Sequence, residues 1–295
     1  MSNNISITDF KTLARTISIV ENEAQGFEET LQQLQPRNIP VIGFTGPPGA
    51  GKSTLLNAVI GLLLEENKKI GLVLVDPSSP FNLGALLGDR LRMSAHFDNK
   101  DIFIRSVATR GSLGGLSDKI MEVAEVMRAY AFDYIFVETV GVGQSEVEIA
   151  GLADTTVVVL VPESGDSVQA MKAGLMEVAD IFVVNKADRA DADALMNSLQ
   201  LQLQISGKAD MPIVKTVAVE SKGVKELLDE IMKQHNTEKN KERKLLLLTE
   251  KALRIISKNR MKGFDKKAMR LDLEKKINEV NFNLYGFVKQ WSAFR

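Results

Sequence analysis

The sequence predicts an α/β protein: a mostly parallel, doubly wound sheet of the P-loop kind, with helical extensions before and after it. Three observations predict it. Short apolar runs at Val41–Thr45, Ile70–Val75, Ile102–Ser106, Tyr134–Glu138, Thr155–Val161, Ile181–Asn185 and Ile213–Val217 alternate with helical patterns, the strand-helix-strand order of a wound sheet. Those runs lack clean polar alternation, which marks strands buried on both faces of a parallel sheet. The first run leads into Gly46-Pro47-Pro48-Gly49-Ala50-Gly51-Lys52-Ser53 and then a helical stretch, the strand-loop-helix setting of a G-x-x-x-x-G-K-[ST] loop.

Taken in order, the chain begins with a predicted helix over Thr8 to Leu34. Phe10, Leu13, Ala14, Ile17 and Val20 recur at helical spacing behind a possible Thr8 cap, and Gln35-Pro36-Arg37-Asn38 ends the run. Between strands the helical stretches are Ser53–Glu65, Leu116–Tyr130, Ser167–Val178 and Asp191–Gln204, and Val224–Gln234 follows the last strand. The remainder is helix-rich and charged, with a strand signal only near Phe282–Val288. The expected organisation is an N-terminal helical extension over 1–37, a nucleotide-binding domain over 38–236, and a basic helical extension over 237–295.

Composition sets the class. With 44% hydrophobic and 25% charged residues the chain is an ordinary globular one, and a net charge of -1 gives no field suited to nucleic acid. From Thr237 on, 16 basic against 7 acidic residues leave the tail positive and the rest acidic; a solvated helical face is the plain reading. Cysteine is absent, which excludes disulfides and thiolate metal sites. MSNNISITDF has neither a basic nor an apolar signal region, and no apolar run reaches the roughly 20 residues of a membrane span. A cytoplasmic protein without a membrane partner is the expectation.

Two segments carry the chemistry. In Gly46–Ser53 the glycines let backbone N–H groups turn inward to phosphate oxygens, at the positive end of the following helix. Lys52 is placed to reach the β- and γ-phosphates, Ser53 to ligate Mg²⁺, and Thr54 to donate to the α-phosphate. Asn185-Lys186-Ala187-Asp188 closes a later strand: the Asp188 carboxylate can accept from N1 and the 2-amino group of guanine, Lys186 can lie along the base, and Asn185 can brace the loop. Together the segments point to GTP and GDP. Between them Asp76 and Glu138 close strands and Asp89 follows a loop, hard oxygen donors suited to Mg²⁺. Lys52 and Glu138 are thus the candidate catalytic groups.

Gly141 can offer its N–H to the γ-phosphate. A Ras-type loop has glutamine immediately after that glycine to orient water, whereas Val142 stands here and Gln144 is two residues on. Slow turnover without a partner is expected. His96 and His235 have no ligand-spaced companions and read as surface residues. Arg105 and Arg110 read equally as phosphate or partner contacts and as a solvated pair.

The segments GPPGAGKST, VDPSSP, LGDRLRM, FIRSVATRGSLGGLSD, ETVGVGQSE and VVNKAD, with FKTLARTISIVEN ahead of them, resemble the methylmalonyl-CoA mutase-associated GTPases, known as MeaB or MMAA and once labelled ArgK. The resemblance covers Lys11 to Val224, about 70% of the chain. It implies a SIMIBI-class P-loop GTPase, commonly a homodimer, that uses GTP to gate adenosylcobalamin loading and to protect an acyl-CoA mutase. It implies that Asp76, Asp89 and Glu138 surround Mg²⁺, and that Asp166 and Lys172, which join Lys52 and Glu138 in the candidate catalytic set, belong to a third switch coupling mutase to nucleotide. Without it, those two read as a helix cap and a surface lysine. The chain departs from the family at Val217-Ala218, where a Ser-Ala pair is usual, so that only a backbone contact to guanine O6 is kept. It also departs at Phe81-Asn82-Leu83-Gly84, which is less glycine-rich, and beyond Gln234, where one tryptophan, Trp291, stands in an unfamiliar pattern.

Three functions compete on sequence. A GTP-driven chaperone of a cobalamin-dependent mutase leads. A P-loop kinase of the old ArgK type would not need a guanine-reading loop, and a pure nucleotide switch would not affect cobalamin. Metal insertion is disfavoured by the absence of cysteine and the presence of only two histidines.

Overall fold

The computed structural model describes residues 7–76, 93–108, 119–139, 149–163, 174–234, 238–261, 264–278 and 281–293. Two compact units divide the chain, Met1–Lys244 and Leu245–Arg295.

The first unit is built on a seven-stranded sheet whose described pairings are all parallel. The strands are β1 (Val41–Thr45), β2 (Ile70–Asp76), β3 (Ile102–Ala108), β4 (Tyr134–Glu138), β5 (Thr155–Leu160), β6 (Ile181–Asn185) and β7 (Ile213–Thr216), in the spatial order β3-β2-β4-β1-β5-β6-β7. Each coincides with a run expected from the sequence. β1, β5 and β6 are buried along their whole length, as apolar runs without alternation require. The order reverses direction at β1, so the crevice beyond its carboxyl end is the place where such a sheet binds ligands.

Helices cover both faces. On one, α3 (Lys52–Glu65) and α7 (Val224–Gln234) pack Leu55, Val59, Leu227 and Ile231 over Ile42, Phe44, Leu72 and Val183. On the other lie α1 (Phe10–Glu21), α2 (Phe27–Gln33), α4 (Ile120–Arg128), α5 (Leu175–Val178) and α6 (Ala192–Ile205). α1 is part of this core: Leu13, Ile17 and Val20 are fully buried with Val107, Val123 and Met127. Such burial contributes about 1.5–3 kcal/mol per side chain, so the sheet depends on this helix for its stability. Phe10 adds ring contacts to Phe103 at 5.4 Å and Tyr130 at 5.3 Å.

The N-terminal region is two helices, not the single one expected over Thr8 to Leu34. Asp9, not Thr8, caps the first, accepting from the Thr12 N–H at 2.8 Å. The break follows from left-handed backbone at Glu23 (φ 48°) and Gly26 (φ 83°), with the Asn22 side chain returning to the Ser18 carbonyl at 2.8 Å. Hydrophobic spacing alone does not register such a turn, because Leu31 resumes the apolar face beyond it.

In the second unit, the later part of α8 (Glu238–Arg260) is followed by α9 (Lys266–Lys276) and α10 (Leu284–Ala293). Among its described residues Phe287 and Trp291 are buried; the Trp291 ring lies tilted against Phe264 at 4.7 Å, and its Nε1–H donates to Asp272 at 3.1 Å. The strand expected near Phe282–Val288 is the start of α10, because the Asn283 carboxamide accepts from the Gly286 N–H and caps a helix.

Candidate functional site

The carboxyl ends of β1, β2, β4 and β6 bring most of the described candidate residues to one edge of the sheet. β1 runs directly into the glycine loop. Gly46 has φ 138°, and a Cβ there would stand 2.1 Å from the Val159 carbonyl oxygen, so the loop crosses the neighbouring strand where only glycine fits. Gly51 has φ 84° and precedes Lys52 at the start of α3; a Cβ would meet the Asn185 amide nitrogen at 2.4 Å. These two glycines seat the loop over β5 and β6 and put the first turn of α3 beneath it.

Lys52 and Ser53 are buried at that first turn. The Lys52 ammonium donates to the Gly46 carbonyl at 2.8 Å and to the Pro47 carbonyl at 3.1 Å, and so lies inside the curl of the loop. Ser53 Oγ donates to Glu138 Oε1 at 2.6 Å, joining the α3 N-terminus to the end of β4. Thr139, next in line, donates through its hydroxyl to Thr45 Oγ1 at 2.9 Å and ties the ends of β1 and β4. Thr54 faces outward on the same helix turn. Among the described residues, then, a cation, a hydroxyl and a carboxylate converge at a helix N-terminus, an arrangement able to hold an anionic phosphate chain. The hard oxygens of Ser53 and Glu138 suit Mg²⁺.

Asn185 is the hub of the site. It is 2% exposed, and its side chain uses three hydrogen bonds. Its Nδ2 donates to the Ala50 carbonyl at 2.9 Å, while its Oδ1 accepts from Thr216 Oγ1 at 3.0 Å and from the Ala218 N–H at 3.3 Å. One carboxamide therefore bolts the glycine loop to the end of β7 and to the turn at Ala218–Glu220. Lys186 follows with φ 55°, left-handed for a residue with a side chain, and its ammonium reaches back to the Gly49 carbonyl at 3.0 Å. Asp188 stands exposed beyond it.

The turn that carries Val217 and Ala218 is closed by a short bridge. Val217 N–H donates to the Lys222 carbonyl at 3.1 Å, and Lys222 N–H returns to Val217 at 3.3 Å. The Lys222 ammonium pairs with Glu220 at 2.5 Å. That hydrogen bond, reinforced by the charges of Glu220 and Asp188, raises Lys222 above the ordinary lysine range.

Asp76 ends β2, in register with Ala108 of β3, at the same edge as Glu138. Asp89, Gly141, Val142, Gln144, Asp166, Lys172, Arg110, His235 and the Phe81–Gly84 stretch lie outside the described residues. Two expectations change. Arg105 is half-buried and turned to the protein instead of a phosphate: it pairs with Glu21 of α1 at 2.6 Å and with Ser18 Oγ at 3.2 Å. His96 is half-buried instead of on the surface. Its Nε2 is enclosed without a hydrogen-bond partner among the described residues, and burial lowers its pKa below the usual 6.5. Thr216 was missed by sequence reasoning. Its only signal is its place as the last residue of the strand beside Asn185, which the parallel register puts directly opposite.

Known proteins resemble the chain over most of its length. The sequence pattern of the family described as methylmalonyl Co-A mutase-associated GTPase MeaB matches residues 13–264. A candidate GTPase of Pyrococcus abyssi is 50% identical over 235 residues, 77% of this chain and 72% of its own. The Escherichia coli GTPase ArgK is 42% identical over 183 residues, 60% of this chain and 55% of its own. A fused isobutyryl-CoA mutase of Geobacillus kaustophilus is 33% identical over 228 residues, 71% of this chain but 21% of that protein. A solved structure titled LAO/AO transport system kinase superposes with a TM-score of 0.69 at 24% identity, covering 96% of this chain and 92% of that one. That likeness speaks for the fold alone.

Proposed function

The chain belongs to the methylmalonyl Co-A mutase-associated GTPase MeaB family and is a guanine-nucleotide-binding GTPase; from that premise we propose that it uses GTP to govern the loading and protection of a cobalamin-dependent acyl-CoA mutase. The observation that carries the nucleotide part is the Asn185 hub, which joins the phosphate loop and the base-reading loop into one rigid piece. What supports a mutase as client is the relative from Geobacillus kaustophilus, in which a region like this chain is fused to an isobutyryl-CoA mutase.

In this reading the glycine-loop amides and the α3 N-terminus cradle the phosphates. Lys52 exchanges its two carbonyl partners, Gly46 and Pro47, for anionic oxygens, a stronger charge-assisted bond. Asp188 accepts from the guanine edge, Lys186 covers the base, and the Ala218 backbone lies beside it. Ser53 and Glu138, with Asp76 and Asp89 from neighbouring segments, would hold Mg²⁺, which would supply positive charge against that developing on the phosphates. Gly141 donates its N–H to the γ-phosphate. Val142 leaves no glutamine at the water-orienting position, so hydrolysis is slow until a partner supplies the missing order. Asp166 and Lys172 carry the partner's influence to the nucleotide, and the protein works as a homodimer. The mutase gains from the cycle because it binds the triphosphate and diphosphate forms with different affinity.

The test is retention of an acyl-CoA mutase on this protein loaded with a nonhydrolysable GTP analogue, followed by GTP turnover and adenosylcobalamin transfer with that mutase. The expected result is faster hydrolysis and nucleotide-dependent transfer. Unchanged turnover at saturating mutase would remove the chaperone reading. Phosphate transfer to an acceptor other than water, with ATP bound as tightly as GTP, would replace it with a kinase.

A further inference from the structure

The connection between β3 and α4 has both flanks fastened to the N-terminal helices. Before it, Arg105 on edge strand β3 pairs with Glu21 at 2.6 Å and with Ser18 at 3.2 Å. After it, Lys119 pairs with Glu23 at 2.6 Å and lies 4.9 Å from the centre of the Phe27 ring. Glu21 and Glu23 are two residues apart at the end of α1, so one turn holds both cations. Among the described residues β3 has β2 alone as a neighbour in the sheet, and its last residue, Ala108, stands opposite Asp76, while Leu74 of β2 stands opposite Glu138. The position of the β3 end is therefore passed across one strand to the candidate metal-holding edge.

The backbone adds an independent sign. Glu23 has φ 48°, a left-handed conformation that glycine or asparagine adopts at less cost after a helix. A glutamate there accepts strain at the position whose side chain makes the ion pair. Strain of this kind collects where a side chain serves function more than folding.

We propose that Glu21 and Glu23 are positioning residues for GTP hydrolysis: through Arg105 and Lys119 they hold both flanks of the β3–α4 connection and so fix the β3 end against Asp76. This rests on the reading that GTP and its Mg²⁺ lie at this edge. The role is expressed in turnover more than in nucleotide affinity, because the glycine loop and Asn185 are held by other contacts.

Glu23→Gly separates the role from simple stability, since it removes the carboxylate and relieves the left-handed backbone together. The full-length variant is expected to keep the wild-type thermal midpoint while kcat for GTP falls by about three-fold at unchanged KM, a size fitting one partly exposed ion pair. The exchange Glu23→Lys with Lys119→Glu provides the rescue arm. Glu23→Lys alone loses kcat, and the double exchange restores it in a Glu122→Gln background, which removes the carboxylate that lies 3.7 Å from Lys119. Wild-type kcat in Glu23→Gly, or a loss in Glu23→Lys that the exchange leaves unrestored, overturns the positioning role alone if the wild-type protein hydrolyses GTP and needs Mg²⁺. A wild-type protein that hydrolyses GTP without Mg²⁺ overturns the reading of the edge itself, and the inference with it.

Discussion

Replacing Asn185 by alanine tests whether the phosphate and base loops form one piece. The substitution removes a carboxamide that is 2% exposed and strands three groups: the Ala50 carbonyl, the Thr216 hydroxyl and the Ala218 N–H. A formed hydrogen bond contributes about 1 kcal/mol net, and a buried group left without a partner costs about 1–3 kcal/mol. The Ala218 bond is the longest of the three, at 3.3 Å, and contributes least. The sum is about 3 kcal/mol, a large part of the roughly 5–15 kcal/mol that holds a domain folded, yet not enough to unfold it. At about 2–4 °C per kcal/mol for a chain of this size, the thermal midpoint should fall by roughly 6–12 °C. Equilibrium unfolding gives the energy, and GTP, GDP and ATP titrations give the function. Asn185 hands its bonds to both loops, so GTP affinity and GTP-over-ATP preference should fall together. Thr216→Val removes one of the same bonds, and the two substitutions should be less than additive. A stability within about 0.5 kcal/mol of the parent would refute the hub, since that is the range of an ordinary surface change. So would a loss of affinity with base preference intact.

Three further outcomes are expected. Lys52→Ala should leave the fold in place and weaken GTP by about 100-fold, the worth of about two charge-assisted hydrogen bonds to phosphate; a titration showing less than about a ten-fold loss would remove the lysine from the phosphates. Asp188→Asn puts a donor where guanine needs an acceptor, so GTP-over-ATP preference should collapse while stability stays unchanged; a preserved ratio in competition binding refutes the base assignment. Burial lowers the His96 pKa below its unfolded value of 6.5, so the unfolded chain binds the proton first on acidification. Stability from this group is full above about pH 6.5 and is lost as pH falls through the lower folded value. Thermal midpoints between pH 7.5 and 5.5 should show a slope that His96→Gln flattens, and an identical slope in the variant would assign it elsewhere.

The sheet was legible because its information is local. Each strand is a short apolar run between breakers, and a parallel strand buried on both faces needs nothing subtler. The glycine loop and Asn185–Asp188 were legible for a related reason: phosphate and guanine impose residue types at fixed spacing, and these come to the crevice simply by following β1 and β6. Thr216 was not, because its contact with Asn185 depends on the register between two strands 31 residues apart. The turn at Glu23 was hidden for the opposite reason. Its conformation is unusual for glutamate, so residue preference argued against the turn, while the resumed apolar spacing argued for one continuous helix.

Arg105 shows how a functional-looking residue is reassigned by its surroundings. Phe103 and Val107 flank it on the same face of β3 and are buried under α1, so the guanidinium starts from an apolar floor. A charge there needs a partner, and Glu21, itself 8% exposed, is the one that α1 supplies. Arg105 therefore cannot leave for a phosphate without breaking its ion pair with Glu21. The same pairing is what makes the N-terminal helices more than a cover for the sheet. In the proposed function the contacts that carry affinity radiate from Asn185 and the glycine loop, whereas Glu21 and Glu23 at the end of α1 hold Arg105 on β3 and Lys119 ahead of α4. Changes at the hub should then appear first in binding, and changes at the α1–α2 turn in turnover, and a KM-against-kcat comparison of the two sets measures that division directly.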